Sequence, residues 1–294
     1  MDLTALDYLA AAGAAGAAGA INALAGGGTL VSFPTLVALG VAPVSSNVTN
    51  TVALVPGYLG GSWAQRDELL PQLKRTRLLS AVSIAGGLAG SILLVSLSEH
   101  AFREAVPYLI LLSSVLLLAQ DRVRRLAGTH DEDEALHAPE VVDVSGRAAG
   151  PPGVDAGPGT GAVAPDVTAS TRREGGPKMR PALVILVFAG AVYGGFFGAG
   201  LGIMLLAILG IFTTESLTSS NALKQGLSFL INVVAAVFFA FSGHVLWSLV
   251  PVMAVASIAG GFLGGRFVSR ISGELLRRLV VIAGVGVAIA FWVG

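Results

Sequence analysis

The amino-acid sequence predicts an all-α, polytopic membrane protein made of two inverted-topology repeats. Each repeat has three full transmembrane helices and a glycine-broken helical hairpin. Three observations predict this: where the charges lie, how long the apolar stretches are, and a repeat at a fixed offset. Of 294 residues, 54% are hydrophobic and only 12% are charged, with a mean hydropathy of +0.78. A soluble domain carries roughly 25% charged residues. The 18 basic and 18 acidic side chains cancel, so no global field steers the chain onto nucleic acid. Half of the charges fall within 121–180, from Asp121 and Arg122 to Lys178 and Arg180. What remains is too sparsely charged for a water-exposed surface.

A helix needs about 20 apolar residues to cross a hydrocarbon layer about 30 Å thick. Stretches 8–25, 44–63, 78–97 and 104–120 meet that length before the charged segment, and 181–200, 218–242, 246–265 and 278–293 after it. Asp2 and Asp7, with no Lys or Arg, lead into the first stretch; a signal peptide needs a basic leader, so this reads as a retained membrane segment. The apolar pieces 29–39 and 202–213 are too short to span comfortably and suit half-helices whose ends are covered by protein or a water-filled cavity. This makes eight to ten membrane segments. Glycine clusters at 26–28 and 198–202 stand where each long limb meets its short one, and glycine permits a sharp backbone break. Gly26, Gly28, Gly200 and Gly202 are the candidate break positions, with close helix packing as the alternative. Between the halves, 128–178 contains Pro139, Pro151, Pro152, Pro158, Pro165 and Pro177 and lacks apolar periodicity. It predicts a disordered cytoplasmic linker, or else a regulatory or partner-binding segment. The expected organisation is a first membrane repeat at 1–127, the linker at 128–178 and a second membrane repeat at 179–294.

The duplication rests on three blocks in one ungapped register. Ser83-Ile84-Ala85-Gly86-Gly87, with Gly90, recurs 174 residues later as Ser257-Ile258-Ala259-Gly260-Gly261, with Gly264. At the same offset Ser45-Ser46-Asn47 falls on Ser219-Ser220-Asn221, and Gly26-x-Gly28 on Gly200-x-Gly202. Lys and Arg collect on the cytoplasmic side of a membrane. The loop after 44–63 is basic (Arg66, Lys74, Arg75, Arg77), whereas its counterpart holds Gly243 and His244. The next loop reverses this: Ser98, Glu99, His100 and Arg103 stand against Arg266, Arg270, Arg277 and Arg278. The basic side alternates, so the copies run oppositely, with both termini outside. A parallel repeat of four crossings per half fits the lengths but not the charges. Inverted repeats with interrupted helices are the architecture of many secondary transporters, with a site near the midplane.

Among the charges outside the central stretch, Lys224 alone lies within a span, in Ser219-Ser220-Asn221-Ala222-Leu223-Lys224-Gln225. An ionisable group inside the apolar layer is costly and points to a functional site. Ser220 and Asn221 are good helix N-cap types, and a helix start attracts anions through its free N–H groups and dipole. A cation one turn further in completes an anion cradle. Two other readings are snorkelling to the interface and pairing with Glu215. The equivalent stretch in the first half, Ser45-Ser46-Asn47-Val48-Thr49-Asn50-Thr51, has hydroxyl and amide donors without charge. Together the two are expected to surround a small oxyanion. The candidate substrate-binding residues are thus Lys224, Asn221, Ser220, Gln225, Asn47, Thr49, Asn50 and Thr51, with ordinary helix capping as the alternative. Ser228 and Asn232 lie deeper on the same helix and either line the route or bond a neighbour. No P-loop, HExxH or GxSxG motif occurs, and the loop histidines (His100, His130, His137, His244) lack metal-ligand spacing. Neither enzymatic activity nor a cofactor or metal is expected. The expected partners are a small anion, the lipid bilayer and a second copy of the chain.

The turn Gly26-Gly27-Gly28, followed by Phe33-Pro34-x-Leu36-x-x-x-Gly40-Val41-x-Pro43, resembles the sulfite exporter TauE/SafE family of permeases. So do Ser46-Asn47-Val48-Thr49-Asn50 and the second-half version of these blocks. The resemblance covers both membrane halves, excluding the 128–178 insert. It implies a multi-pass cell-membrane permease exporting or importing sulfite, sulfoacetate or related sulfonates. The rival readings are a membrane subunit with a structural or assembly role and no transport, and a permease for a different small anion.

Overall fold

Ten helices are delimited, and no strand occurs, among the residues that the computed structural model describes: 3–24, 27–64, 66, 67, 69, 72, 77–137, 181–213, 217–267 and 273–293. In the first half these are α1 (Ala5–Leu24), α2 (Thr29–Ala38), α3 (Pro43–Ala64), α4 (Arg77–Ser96) and α5 (Glu99–His137). In the second half they are α6 (Pro181–Phe196), α7 (Leu201–Phe212), α8 (Leu217–Ala240), α9 (Val250–Phe267) and α10 (Gly273–Val293). They correspond one for one with the ten apolar segments of the sequence. On their described residues alone, Arg77–Ser96, Glu99–Val123 and Ser219–Ala240 are long and apolar enough to cross a membrane.

Local chemistry accounts for the boundaries. Pro43 and Pro181 open α3 and α6, where a missing N–H costs nothing. Gly40, at φ +84°, ends α2: its N–H bonds Val37 O at 2.9 Å and that of Val41 bonds Leu36 O at 3.1 Å, a Schellman cap. The helix α5 runs to His137, ten residues into the stretch that composition assigns to the linker. The run Asp131–His137 contains Glu, Ala and Leu and meets no proline before Pro139, so nothing in it stops a helix. The rest of the expected linker, 138–178, lies outside the described residues.

The two halves are interleaved. One core cluster joins α1, α2 and α3 to α9 through Ala11, Ala15, Leu36, Ala53, Leu54 and Met253. Its counterpart joins α6, α7 and α8 to α4 through Leu183, Val187, Leu205, Leu227, Ile231 and Leu79. The first and third helices of each half therefore pack on the fourth helix of the other. A third cluster draws on both halves, with Phe33, Phe102 and Ile110 from the first and Phe197 and Phe239 from the second.

Directions follow from paired contacts. The Leu246 N–H, just before α9, bonds Thr49 Oγ1 of α3 at 2.9 Å, and Ser257 Oγ of α9 donates to Ala53 O at 3.3 Å; α3 and α9 run the same way. The helices α4 and α6 also run the same way: Gly86 lies against Phe188 and Ala191, and Gly90 against Val192 and Phe196.

Burial differs from that of a soluble protein at the surface and in the polar residues kept inside. Phe241 is 88% exposed, with Val255, Phe262, Ile282 and Ile185 also facing outward. Asn47, Asn50, Ser83, Ser91, Ser113, Ser228 and Asn232 are buried. Lipid solvates the apolar surface, and the polar groups turn inward.

Candidate functional site

The turn between α6 and α7 is where the chain breaks inside the bundle. Gly198 and Gly200 both take φ +76°, a left-handed conformation that costs little only for glycine. The break leaves the carbonyls of Phe196 and Ala199 without helical partners, and side chains from both halves supply them. Asn47 Nδ2 of α3 donates to Phe196 O at 2.8 Å. The Tyr193 hydroxyl donates to Ala199 O at 2.7 Å. Ser113 Oγ of α5 stands 2.7 Å from Tyr193 Oη and 3.0 Å from the same carbonyl. Phe33, Phe102, Phe196 and Phe197 stack edge to face around this point.

The left-handed positions are thus Gly198 and Gly200. Gly202, expected at the break, is the second residue of α7 and buried in the helix, because the turn is complete two residues earlier. Gly28 precedes α2 in ordinary right-handed conformation. It is glycine for want of space, since a Cβ there would press on the Ala18 backbone, and Asn22 Oδ1 accepts its N–H at 2.7 Å. Gly26 lies outside the described residues.

At the start of α3, Asn47, Thr49 and Asn50 are buried and Thr51 is half-buried. Thr51 Oγ1 donates to Asn47 O at 3.0 Å, and Thr49 is engaged by Leu246. The N–H of Val44, in the first turn, bonds Glu99 Oε2 at 3.0 Å, so a carboxylate already caps this helix start. Asn47 Oδ1 and Asn50 Oδ1 are buried without a hydrogen-bond partner among the described residues.

At the start of α8, Lys224 Nζ donates to Asn221 Oδ1 at 2.8 Å. Ser220 Oγ and Ser228 Oγ are buried without a partner among the described residues, Gln225 is buried, and Asn232 Nδ2 donates to Ser228 O at 2.8 Å. Glu215, the alternative partner for Lys224, lies outside the described residues. Asn221, Gln225, Ser228 and Asn232 recur at spacings of four, three and four, which aligns them on one face of the helix over about 16 Å.

The two polar starts do not lie side by side. Leu69, beyond the end of α3, packs on Gly226 near the start of α8, while Leu246, beyond the end of α8, bonds Thr49 near the start of α3. The pair is antiparallel, and the residues expected to form one cradle occupy its two ends. Sequence reading missed Ser113 and Tyr193. A lone serine or tyrosine in an apolar helix has many uses, and only the sharp turn at 197–200, read together with a hydroxyl-bearing residue one turn upstream, hinted at their role.

An all-helical bundle with lipid-facing apolar side chains, a buried polar seam and a broken helical hairpin defines a multi-pass membrane protein with a polar interior. The chain belongs to the family described as Sulfite exporter TauE/SafE, whose sequence profile matches residues 11–291, and the protein is a membrane transporter. It is 26% identical over 263 residues to a probable membrane transporter protein of Haemophilus influenzae, covering 89% of this chain and 85% of that one. It is 20% identical over 262 residues to the probable membrane transporter protein YfcA of Escherichia coli K12, covering 89% and 81%. A probable membrane transporter protein, ORF9, of a Sinorhizobium species is 24% identical over 276 residues, covering 92% and 86%. No solved structure matches the chain.

Proposed function

We propose that the protein exports small organosulfur anions (sulfite, sulfoacetate or related sulfonates) by alternating access between two inverted repeats. The inverted arrangement is supported by helix direction. Leu69 packed on Gly226 and Leu246 N–H bonded to Thr49 Oγ1 set α3 antiparallel to α8, the third helix of the other half, while α3 runs the same way as α9. The third helices of the two halves are then opposed. The basic loops at 66–77 and 266–278 share one side on this topology and mark it as cytoplasmic. The start of α8 faces that side, and the start of α3 faces outward.

The observation that carries the anion reading is the grouping at the start of α8. A cation, Lys224, shares the first turns with Ser220, and Ser228 lies one turn further in; both serines have buried hydroxyls that hold unused donors among the described residues. Donors and positive charge at a helix start suit an oxyanion. The stripe of Gln225, Ser228 and Asn232 continues inward from there, and Asn47, Thr49, Asn50 and Thr51 line the far end. A negative interior favours anion exit by about 2.3 kcal/mol per charge per 100 mV, so a divalent anion leaves downhill.

Uptake of labelled sulfite and sulfoacetate into proteoliposomes tests the reading. Saturable flux is expected from the native chain. Lys224→Ala removes charge-assisted bonds worth about 1.5–3 kcal/mol and should raise KM by roughly 10- to 150-fold, with Lys224→Arg largely restoring it. Unchanged kinetics in Lys224→Ala would remove this residue from the site.

A further inference from the structure

We propose that the outer end of the polar seam, where Asn47 and Asn50 of α3 meet the carbonyl end of α6, is a binding site for a small, hard monovalent cation such as sodium. The Phe196 carbonyl can only accept, so the amide of Asn47 must present its nitrogen there, at 2.8 Å, and its oxygen points away from that contact. That oxygen is buried, in a residue only 1% exposed, with no donor among the described residues. Asn50, three residues on and on the same helical face, is also 1% exposed, and its side-chain oxygen is likewise unpartnered. Buried acceptors left unmatched cost free energy, and two of them on one face call for a positive partner.

The surroundings carry the same sign. The helix α6 ends at Phe196, so the negative pole of its dipole lies at Asn47. Carbonyl ends of interrupted helices are where transporters of this architecture hold coupling cations. The opposite pole, at the start of α3, is already matched by the Glu99 carboxylate on Val44 N–H. The Glu99 carboxylate and the two amide oxygens favour a resident cation over a resident anion at this end, although Arg103 lines the cavity beside Pro43. The side-chain oxygens are neutral, and no cluster of three or more acidic, histidine or cysteine side chains occurs among the described residues. Neutral oxygens repay the dehydration of a monovalent ion more readily than that of a divalent one.

The contrast with the start of α8 is chemical. There the unused groups are hydroxyl donors beside a lysine, whereas here they are amide oxygens. Coupling of the cation to anion movement rests on the transport reading above, but cation binding does not, and it is measured without any anion substrate. Purified full-length protein is titrated with radiolabelled sodium. Its thermal midpoint is followed in sodium and in N-methylglucamine chloride at equal ionic strength. Saturable binding and a sodium-dependent rise in Tm are expected. Asn50→Ala should weaken sodium binding about tenfold or more, and Ser46→Ala, whose hydroxyl already bonds Val41 O, should leave it intact. Asn47→Ala also loses the bond to Phe196, so Asn50→Asp serves as the second variant. Its added carboxylate should tighten sodium binding and admit calcium as a competitor. Absence of saturable sodium binding, or equal binding by the native chain, Asn50→Ala and Asn50→Asp, overturns the proposal.

Discussion

The Ala199 carbonyl sits in a turn, between Gly198 and Gly200, that no regular helix can satisfy, with two hydroxyls in reach, Tyr193 at 2.7 Å and Ser113 at 3.0 Å. Either one alone keeps that carbonyl bonded. Tyr193→Phe or Ser113→Ala should each cost about 1 kcal/mol, the usual net worth of a hydrogen bond. The double variant leaves the carbonyl orphaned and should cost more than the sum. The coupling is read from thermal unfolding of the four proteins in one detergent; strict additivity would mean that the two hydroxyls do not share Ala199. Residue chemistry of this kind is poorly legible in sequence. Lys224 stood out because a charge in an apolar run has few explanations, whereas Tyr193 and Ser113 blend into helices that contain other polar residues for packing reasons.

Among the helices, close approach of α1 to α9 and of α4 to α6 is set by glycines on both sides. A Cβ at Gly260 would run into the Gly16 carbonyl, and one at Gly90 into the Val192 carbonyl. Lipid tails are as apolar as leucine, so such helices hold together by fit and by interhelical bonds. Gly260→Ala and Gly90→Ala should each destabilise by about 1–3 kcal/mol through overpacking. Gly13→Ala meets nothing within 4 Å and should be neutral or stabilise by up to about 1 kcal/mol, as alanine does in a helix. Equal midpoints for Gly260→Ala and Gly13→Ala would refute the packing account. Element boundaries were largely readable, because proline, glycine and the length of each apolar run act locally. The exceptions were also local: α5 outlasts its apolar stretch by helix propensity, and the break falls at Gly198 and Gly200 instead of Gly202.

For the whole molecule, the absence of cysteine from the sequence makes a direct test of topology simple, since any introduced thiol is the sole target. On the inverted arrangement, His100→Cys and His244→Cys should react with a membrane-impermeant thiol reagent in intact cells. Arg66→Cys and Arg270→Cys should react only after the membrane is opened. Labelling of His100 and His244 positions from opposite sides would replace the inverted arrangement with a parallel one. The exchange of fourth helices between halves also predicts that the halves do not fold as separable units. Co-expressed fragments split within 140–178 should assemble, while either fragment alone should be degraded.

Membrane residence, the ten apolar segments, the repeat and the lysine were all present in the one-dimensional pattern. Each is a property of hydrophobicity, charge or spacing along one stretch of chain, and a bilayer sorts such stretches by transfer free energy alone. Which groups face each other was not. Asn47 and Phe196 are 149 residues apart, and their pairing depends on two halves packing through each other's fourth helix. The same packing sets α3 and α8 antiparallel. Residues that looked like one anion cradle became the two ends of a seam, one rich in donors and the other in acceptors. Composition cannot reveal that difference, because an asparagine side chain offers both a donor and an acceptor, and only its neighbours in space decide which one is left over.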